Sequence, residues 1–490
     1  PFEYSFKYPK AGETNSSLNL KIYNLESEKI SSIDLSKNKN DYYYIPRLEF
    51  SFYSNKLFFQ SLNRLQNKLS LTAYDLDTKS SKKVFEEKDN SYVDIQEKIF
   101  FLNNDNFLWI SDKSGFDHIY LVEDEGKRLN QITRGNWDVA KLLGVNESTV
   151  YYSSTEDNSI ERVIYSISLN GKNKKAISPK NGFNGASFTS NYKYFIHTFE
   201  DSNTPLIYSL RESKTGELVR RIMDNNELLK KLEPYDLSRK DFSQINFNGQ
   251  DLNMWMIKPT NFNPKKKYPV LIYQYSGPGS QEVENRWNNN RDFWHQLLAQ
   301  KGYIIVCVDG RGTGFKGKKF KKVTYGQLAK YETEDQISFA KYLSKLPYID
   351  KNRIGIWGWS YGGLISTNSI LKGNDIFSLA IAVAPVTNWR FYDTIYTERF
   401  MGLPKNNSDG YDLNSPLNFA HLLEGDYLLI HGSADDNVHL QNTMRMVEEL
   451  IQQDKQFEWM IYPDKNHGIY GGNTSIHLYN KMTNFIEKKL

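Results

Sequence analysis

Five short segments in the first half of the chain share one pattern: an apolar residue, a tyrosine, one or two further residues and another apolar residue. They are Ile22-Tyr23-Asn24-Leu25, Ala73-Tyr74-Asp75-Leu76, Ile119-Tyr120-Leu121, Ile164-Tyr165-Ser166-Ile167 and Ile207-Tyr208-Ser209-Leu210. Their tyrosines are separated by 51, 46, 45 and 43 residues. That period matches a four-stranded propeller blade and is too long for most helical repeats. Between the repeats lie apolar or alternating runs such as Lys98-Ile99-Phe100-Phe101-Leu102, Thr149-Val150-Tyr151-Tyr152 and Tyr194-Phe195-Ile196, punctuated by Asn, Asp, Ser and Gly. These read as strands and turns. An aromatic share of 14%, with 33 Tyr and 28 Phe, also favours sheets over helical bundles. The bland alternative is a β-sandwich with accidental spacing. Only four to five blades fit before residue 230, and the chain opens on Pro-Phe-Glu rather than Met. Together these lead us to expect a fragment with further blades upstream.

A length of 490 residues is enough for two or three domains. Lys+Arg 62 against Asp+Glu 58 leaves a net charge of +4, too little for a nucleic-acid surface. The lone Cys307 supports no internal disulfide and no structural zinc or iron–sulfur site, which leaves the compartment open. The longest apolar runs, such as Tyr303 to Val308, fall far short of the ~20 residues that span a bilayer, so no membrane segment is expected.

Near Pro234 the pattern changes to strands alternating with amphipathic helices, the mark of an α/β fold. The expected organisation is a partial β-propeller over residues 1–234 and an α/β domain with a doubly wound, mostly parallel sheet over 235–490. Strands are predicted at Leu252 to Ile257, Val270 to Tyr275, Tyr303 to Val308, Arg353 to Trp357, Leu379 to Val383, Tyr427 to Ile430 and Phe457 to Tyr462. A helix is predicted to start at Thr333 in a Thr-Glu-Asp-Gln capping box, turning Ile337, Ala340, Leu343 and Leu346 to the sheet.

The sharpest local signal is Gly358-Trp359-Ser360-Tyr361-Gly362, a G-x-S-x-G sequence between a strand and a helix-like run. In a nucleophile elbow of this kind the glycines permit a strained turn, so the serine hydroxyl projects above the sheet and the next backbone N–H is free for an oxyanion. Such an elbow needs an acid and then a histidine after later strands. The strand Tyr427 to Ile430 runs into His431-Gly432-Ser433-Ala434-Asp435-Asp436, and Phe457 to Tyr462 runs into Pro463-Asp464-Lys465-Asn466-His467. Ser360, Asp435 or Asp436, and His467 are therefore the triad candidates. Gly312-Thr313-Gly314-Phe315-Lys316-Gly317 satisfies G-x-G-x-x-G and nearly spells a phosphate loop, but Lys319 replaces the required Ser/Thr. Nucleotide binding is not expected, and no cofactor or metal motif is present.

From about Pro269 onward the chain resembles the prolyl oligopeptidase clan of serine peptidases, in its dipeptidyl peptidase IV family. The blocks are Tyr-Ser-Gly-Pro-Gly-Ser-Gln (275–281), Asp-Gly-Arg-Gly-Thr-Gly (309–314), Gly-Trp-Ser-Tyr-Gly-Gly (358–363), Ala-Pro-Val-Thr-Asn-Trp (384–389), Tyr-Asp-Thr-Ile-Tyr-Thr-Glu-Arg (392–399) and His-Gly-Ser-Ala-Asp-Asp-Asn-Val-His (431–439). Weaker similarity reaches Tyr8-Pro9-Lys10-Ala11-Gly12. The resemblance implies a propeller joined to an α/β-hydrolase domain, and release of N-terminal dipeptides with proline or alanine penultimate. It makes Ser360 the nucleophile, Asp435 the acid and His467 the base. The backbone N–H of Tyr361 and the hydroxyl of Tyr275 would hold the oxyanion. Tyr361, Val386, Trp389, Tyr392, Tyr396 and Val438 would line the proline pocket, and Asn437 would bind a substrate carbonyl.

It further implies peptide substrates, a homodimer and a periplasmic or secreted location. The family holds the substrate ammonium with two adjacent glutamates. The only Glu pairs here, Glu86-Glu87 and Glu448-Glu449, lack the matching context, so that segment is expected upstream of residue 1. An endo-acting or tripeptidyl relative is the runner-up, followed by an esterase and a non-catalytic binding propeller.

Overall fold

The computed structural model describes residues 5–35, 42–247, 249–287 and 290–490. Four antiparallel sheets of four strands follow one another from Tyr44 to Met223, each in simple sequence order, after a two-stranded hairpin, Leu20–Tyr23 and Ile30–Ile33. The repeated tyrosines mark one position in this series: Tyr74, Tyr120, Tyr165 and Tyr208 all lie on the third strand of their sheet. Tyr23 ends the first strand of the hairpin.

Side-chain alternation explains why the sheets stack face to face. Leu57 and Phe59 pack back on the hairpin, while Phe58 packs forward with Phe101 and Phe107 of the next sheet. Tyr152 turns back toward Leu108 and Ile119, and its neighbour Tyr151 turns forward onto Phe195. Successive side chains of a strand point to opposite faces, so strands apolar on both faces must be covered twice, as in a propeller.

After a helix at Asn226–Leu232 the chain builds one eight-stranded sheet: β1 (Lys240–Phe247), β2 (Gln250–Ile257), β3 (Tyr268–Tyr273), β4 (Ile304–Asp309), β5 (Ile349–Trp359), β6 (Leu379–Val383), β7 (Asp426–Gly432) and β8 (Glu458–Tyr462). The spatial order is β1-β2-β4-β3-β5-β6-β7-β8; β2 is antiparallel to β1 and β4, and every other pair is parallel. This is the α/β-hydrolase arrangement. Helices cover both faces. Val270 and Ile272 of β3 enter one core, Leu271 and Tyr273 the other, as a doubly covered parallel strand requires.

Three expectations need correction. The edge strand β1 was not anticipated, because its Lys-Asp-Phe-Ser-Gln-Ile-Asn-Phe sequence is mostly polar and buries only Ile245. The strand expected to reach Tyr275 stops at Tyr273. The helix expected from Thr333 spans Tyr331–Leu343, with Lys330 at its N-cap and no side-chain cap. Thr333 instead lies inside it and donates its hydroxyl to the Ala329 carbonyl at 2.6 Å. Glu332, in the first turn ahead of Thr333, is itself buried. Ala340 and Leu343 are buried against the sheet and Ile337 half-buried there, while Leu346 packs from beyond the helix end.

The Gly-rich loop that mimics a phosphate site joins the two halves of the fold. It leads into a five-residue helix, Lys318–Lys322, whose lysines enter a row of propeller aspartates. Lys321 contacts Asp94 at 2.9 Å and Asp117 at 3.3 Å, and Lys322 contacts Asp89 at 3.1 Å and Asp112 at 2.6 Å. The Gly317 N–H donates to Asp138 at 2.9 Å. The Lys322 pairs are buried, and breaking a buried pair is costly, so they help fix how the halves sit together. Among the described residues no helix is long and apolar enough to cross a membrane.

Candidate active site

The last residue of β5, Trp359, is followed by Ser360 at φ 60°, ψ −116°, and then by the helix Tyr361–Lys372. A non-glycine residue at such a φ is strained, and it persists only where its surroundings hold it. The flanking glycines show how. A Cβ on Gly358 would lie 2.4 Å from the Gly362 carbonyl oxygen, and one on Gly362 would lie 2.5 Å from the Gln274 carbonyl oxygen. The turn is thus pressed against the segment after β3, with no room for side chains at either glycine.

The acid comes from the loop after β7. Asp435 is buried, whereas Asp436 is exposed. Asp435 Oδ1 accepts from the N–H groups of Asn437 at 3.0 Å and Val438 at 2.9 Å. Its Oδ2 lies 2.7 Å from His467 Nδ1 and 3.2 Å from His431 Nε2. Burial would raise the Asp435 pKa, but the hydrogen bonds from His431 and His467 outweigh it and bring it down to about 2. An ionised carboxylate only accepts, so His467 carries its proton on Nδ1 and leaves Nε2 as the acceptor. His467 follows β8, which places it at the same end of the sheet as Ser360 and Asp435.

Ser360 and His467 line one cavity of about 490 Å³. Tyr275, Tyr361, Val386, Trp389, Tyr392, Tyr396 and Asn437 line it too. Val438 is fully buried behind this wall in the same cluster. The wall is a chain of ring contacts: Trp389 stacks on Tyr396 with centroids 5.7 Å apart and an interplanar angle of 24°, and Tyr392 meets Tyr396 edge-on at 5.5 Å. Tyr275 lies two residues beyond β3, its ring 6.1 Å from that of Tyr361. Burial, then the nearby Glu282 charge, push its phenol pKa up, which keeps it a hydrogen-bond donor. Asn437 Oδ1 accepts from the Tyr392 hydroxyl at 2.6 Å, which leaves its amide N–H₂ as the free end of the side chain.

Trp359, Tyr273, Ser280, Glu282 and Arg291 complete the lining of the cavity. Neither Glu pair borders it. Glu86 is ringed by Lys68, Lys83 and Lys88, Glu87 accepts from Trp109 Nε1 at 2.6 Å, and Glu448 and Glu449 lie on the helix Gln441–Gln452.

Several supporting groups escape a reading of the sequence. His431 donates from Nε2 to the Val438 carbonyl at 2.7 Å and sits beside Asp435; its only signal is a place at the end of β7, four residues before the acid. Tyr8 donates to the Asn437 carbonyl at 2.9 Å across 429 residues, for which no local signal exists. Glu332 is buried and accepts from the Tyr361 hydroxyl at 2.6 Å.

Comparison with known proteins gives the family. Residues 289–490 match the prolyl oligopeptidase family, and residues 1–206 match the dipeptidyl peptidase IV N-terminal region. The chain is similar to a probable dipeptidyl-aminopeptidase B of Phaeosphaeria nodorum, at 34% identity over 97% of this chain and 55% of that protein. It thus spans about half the length of the curated relatives it matches. The crystal structure of Porphyromonas gingivalis dipeptidyl peptidase 4 superposes with a TM-score of 0.95 at 44% identity, over 99% of this chain and 69% of that one. That of a putative dipeptidyl aminopeptidase IV from Bacteroides ovatus superposes with a TM-score of 0.91 at 28% identity, over 99% of this chain and 71% of that one.

Proposed function

The chain belongs to the prolyl oligopeptidase family, in its dipeptidyl peptidase IV branch, and on that premise we propose that it is a serine exopeptidase releasing N-terminal dipeptides whose second residue is proline or alanine. One observation carries this reading: an elbow serine and an Asp435–His467 pair open on a single cavity walled by Trp389, Tyr392 and Tyr396.

Ser360 Oγ attacks the carbonyl carbon of the penultimate residue while His467 Nε2 takes its proton. The imidazolium that forms is stabilised by Asp435, which stays ionised because its pKa is held so low. The proton then passes to the leaving amine, and the acyl-enzyme is hydrolysed by water through the same steps. Charge developing on the carbonyl oxygen is met by the Tyr361 N–H and the Tyr275 hydroxyl. Flat aromatic walls suit a rigid apolar ring that has no donor of its own. The Asn437 amide supplies a donor for a substrate carbonyl.

The test of this reading is cleavage of a Gly-Pro anilide against its N-acetylated form. In a chain that includes the ammonium-binding glutamates, release from the free amine and poor release from the acetylated form are expected, because an exopeptidase reads the ammonium. Equal rates would move the assignment to an endo-acting or tripeptidyl peptidase.

The same assay reports on Tyr275. Tyr275→Phe is expected to lower kcat by roughly a hundredfold with KM nearly unchanged, since an oxyanion donor is engaged only in the transition state. A change confined to KM would make Tyr275 a substrate-binding residue instead.

A further inference from the structure

The helix Tyr331–Leu343 packs a polar face into the interior beside the elbow. Glu332 and Gln336, one turn apart and so on the same face, are 1% and 0% exposed. Neither lines the cavity that holds Ser360. Buried polar groups at this depth are costly unless they make specific contacts. Both lead to the residues around the Tyr361 N–H. Glu332 Oε1 accepts from the Tyr361 hydroxyl at 2.6 Å. Gln336 Nε2 reaches Ser276 Oγ at 3.4 Å, Ser276 donates to Gln274 Oε1 at 3.1 Å, and Gln274 Nε2 donates to the Gly362 carbonyl at 2.7 Å and to Ser366 Oγ at 3.0 Å. Tyr275, the other oxyanion donor, lies between Gln274 and Ser276 in the chain.

We propose that Glu332 is a positioning residue for the oxyanion site: through the Tyr361 side chain it holds the strained Ser360–Tyr361 peptide, while Gln336 braces the Gln274–Ser276 segment that carries Tyr275. Glu332 acts as an acceptor at Oε1. Its other oxygen, Oε2, is buried without a hydrogen-bond partner. Burial raises its pKa to about 8, consistent with a neutral acid at this position. The role is one of orientation, because Glu332 meets neither substrate nor reacting atoms. Sites of this kind lose rate when their supporting contacts loosen by small amounts.

The proposal rests on the serine-hydrolase reading above, so its test separates the two. The burst of p-nitrophenol from p-nitrophenyl acetate measures acylation of Ser360 and needs no peptide recognition. Glu332→Leu and Tyr361→Phe are each expected to slow acylation roughly tenfold, less than the 100- to 1000-fold typical of losing an oxyanion donor itself, with KM within about twofold. The double variant should be no slower than either single one, because both remove the same hydrogen bond. Glu332→Gln, which keeps the acceptor oxygen, should restore the wild-type rate to within about threefold. Amide hydrogen exchange in the peptide spanning Ser360 to Leu364 should rise in Glu332→Leu and Tyr361→Phe and stay at the wild-type level in Glu332→Gln. Multiplying losses in the double variant, a Glu332→Gln variant as slow as Glu332→Leu, or unchanged exchange in Tyr361→Phe would each overturn the assignment. Should wild type give no burst, the serine-hydrolase reading fails, and the exchange pattern alone then decides whether Glu332 holds the elbow.

Discussion

Replacing Ser360 by alanine is expected to slow hydrolysis by on the order of a millionfold, the loss typical of a triad serine that acts as a unit with its histidine. The substitution leaves the fold a fair comparison. Alanine meets the same backbone strain at φ 60° as serine does, and the Ser360 N–H bond to the Val383 carbonyl, 2.8 Å long, involves no side chain. The loss therefore reports on the hydroxyl. A serine-reactive phosphonate should add one equivalent of mass to the wild-type chain, on the peptide containing Ser360, and none to the variant. Labelling that persists in Ser360→Ala would place the nucleophile elsewhere.

Asp435→Asn should cost about 10⁴ in kcat, and the geometry says why. The N–H groups of Asn437 and Val438 both point at Oδ1, so the amide oxygen of the variant takes that side and its N–H₂ faces His467. Two donors cannot meet, and the His467 proton moves from Nδ1 to Nε2, where it blocks acceptance of the serine proton. A second consequence appears in acid. The native carboxylate ionises at about 2, against an ordinary 3.8, so it contributes stability that is present above the ordinary value and lost as pH falls through about 2. The asparagine variant should lack that loss in acid melts. A drop in kcat of tenfold or less would mean that another group orients His467.

These residues were legible in the sequence because the order strand, serine, helix, then acid and histidine after later strands is a linear statement of what a parallel sheet brings to one end. Strand order alone left Asp435 and Asp436 open; the family resemblance pointed to Asp435, and of the two it is Asp435 that turns inward. The tyrosine period likewise marked the third strand of successive sheets. What escaped was set by packing. β1 is mostly polar and runs along an edge, Thr333 lies inside its helix and donates to the Ala329 carbonyl rather than capping it, and Tyr8 meets Asn437 only because the first residues cross to the far end of the chain.

The aromatic wall also answers to residues that never approach the substrate. Tyr396 lies on the helix Thr394–Met401, and that helix is gripped from the propeller side. Glu398 takes a fork from Arg64 at 2.6 and 2.7 Å, Arg399 reaches Asp94 at 2.6 Å, and Phe400 meets the ring of Tyr92 edge-on with centroids 4.9 Å apart. The pocket is thus a joint property of both halves. In evolutionary terms, the blades cannot drift independently of the hydrolase: a change at Arg64, Tyr92 or Asp94 is inherited as a change in the shape of the pocket, so selection for what the enzyme cleaves extends to residues that sequence distance would class as scaffold.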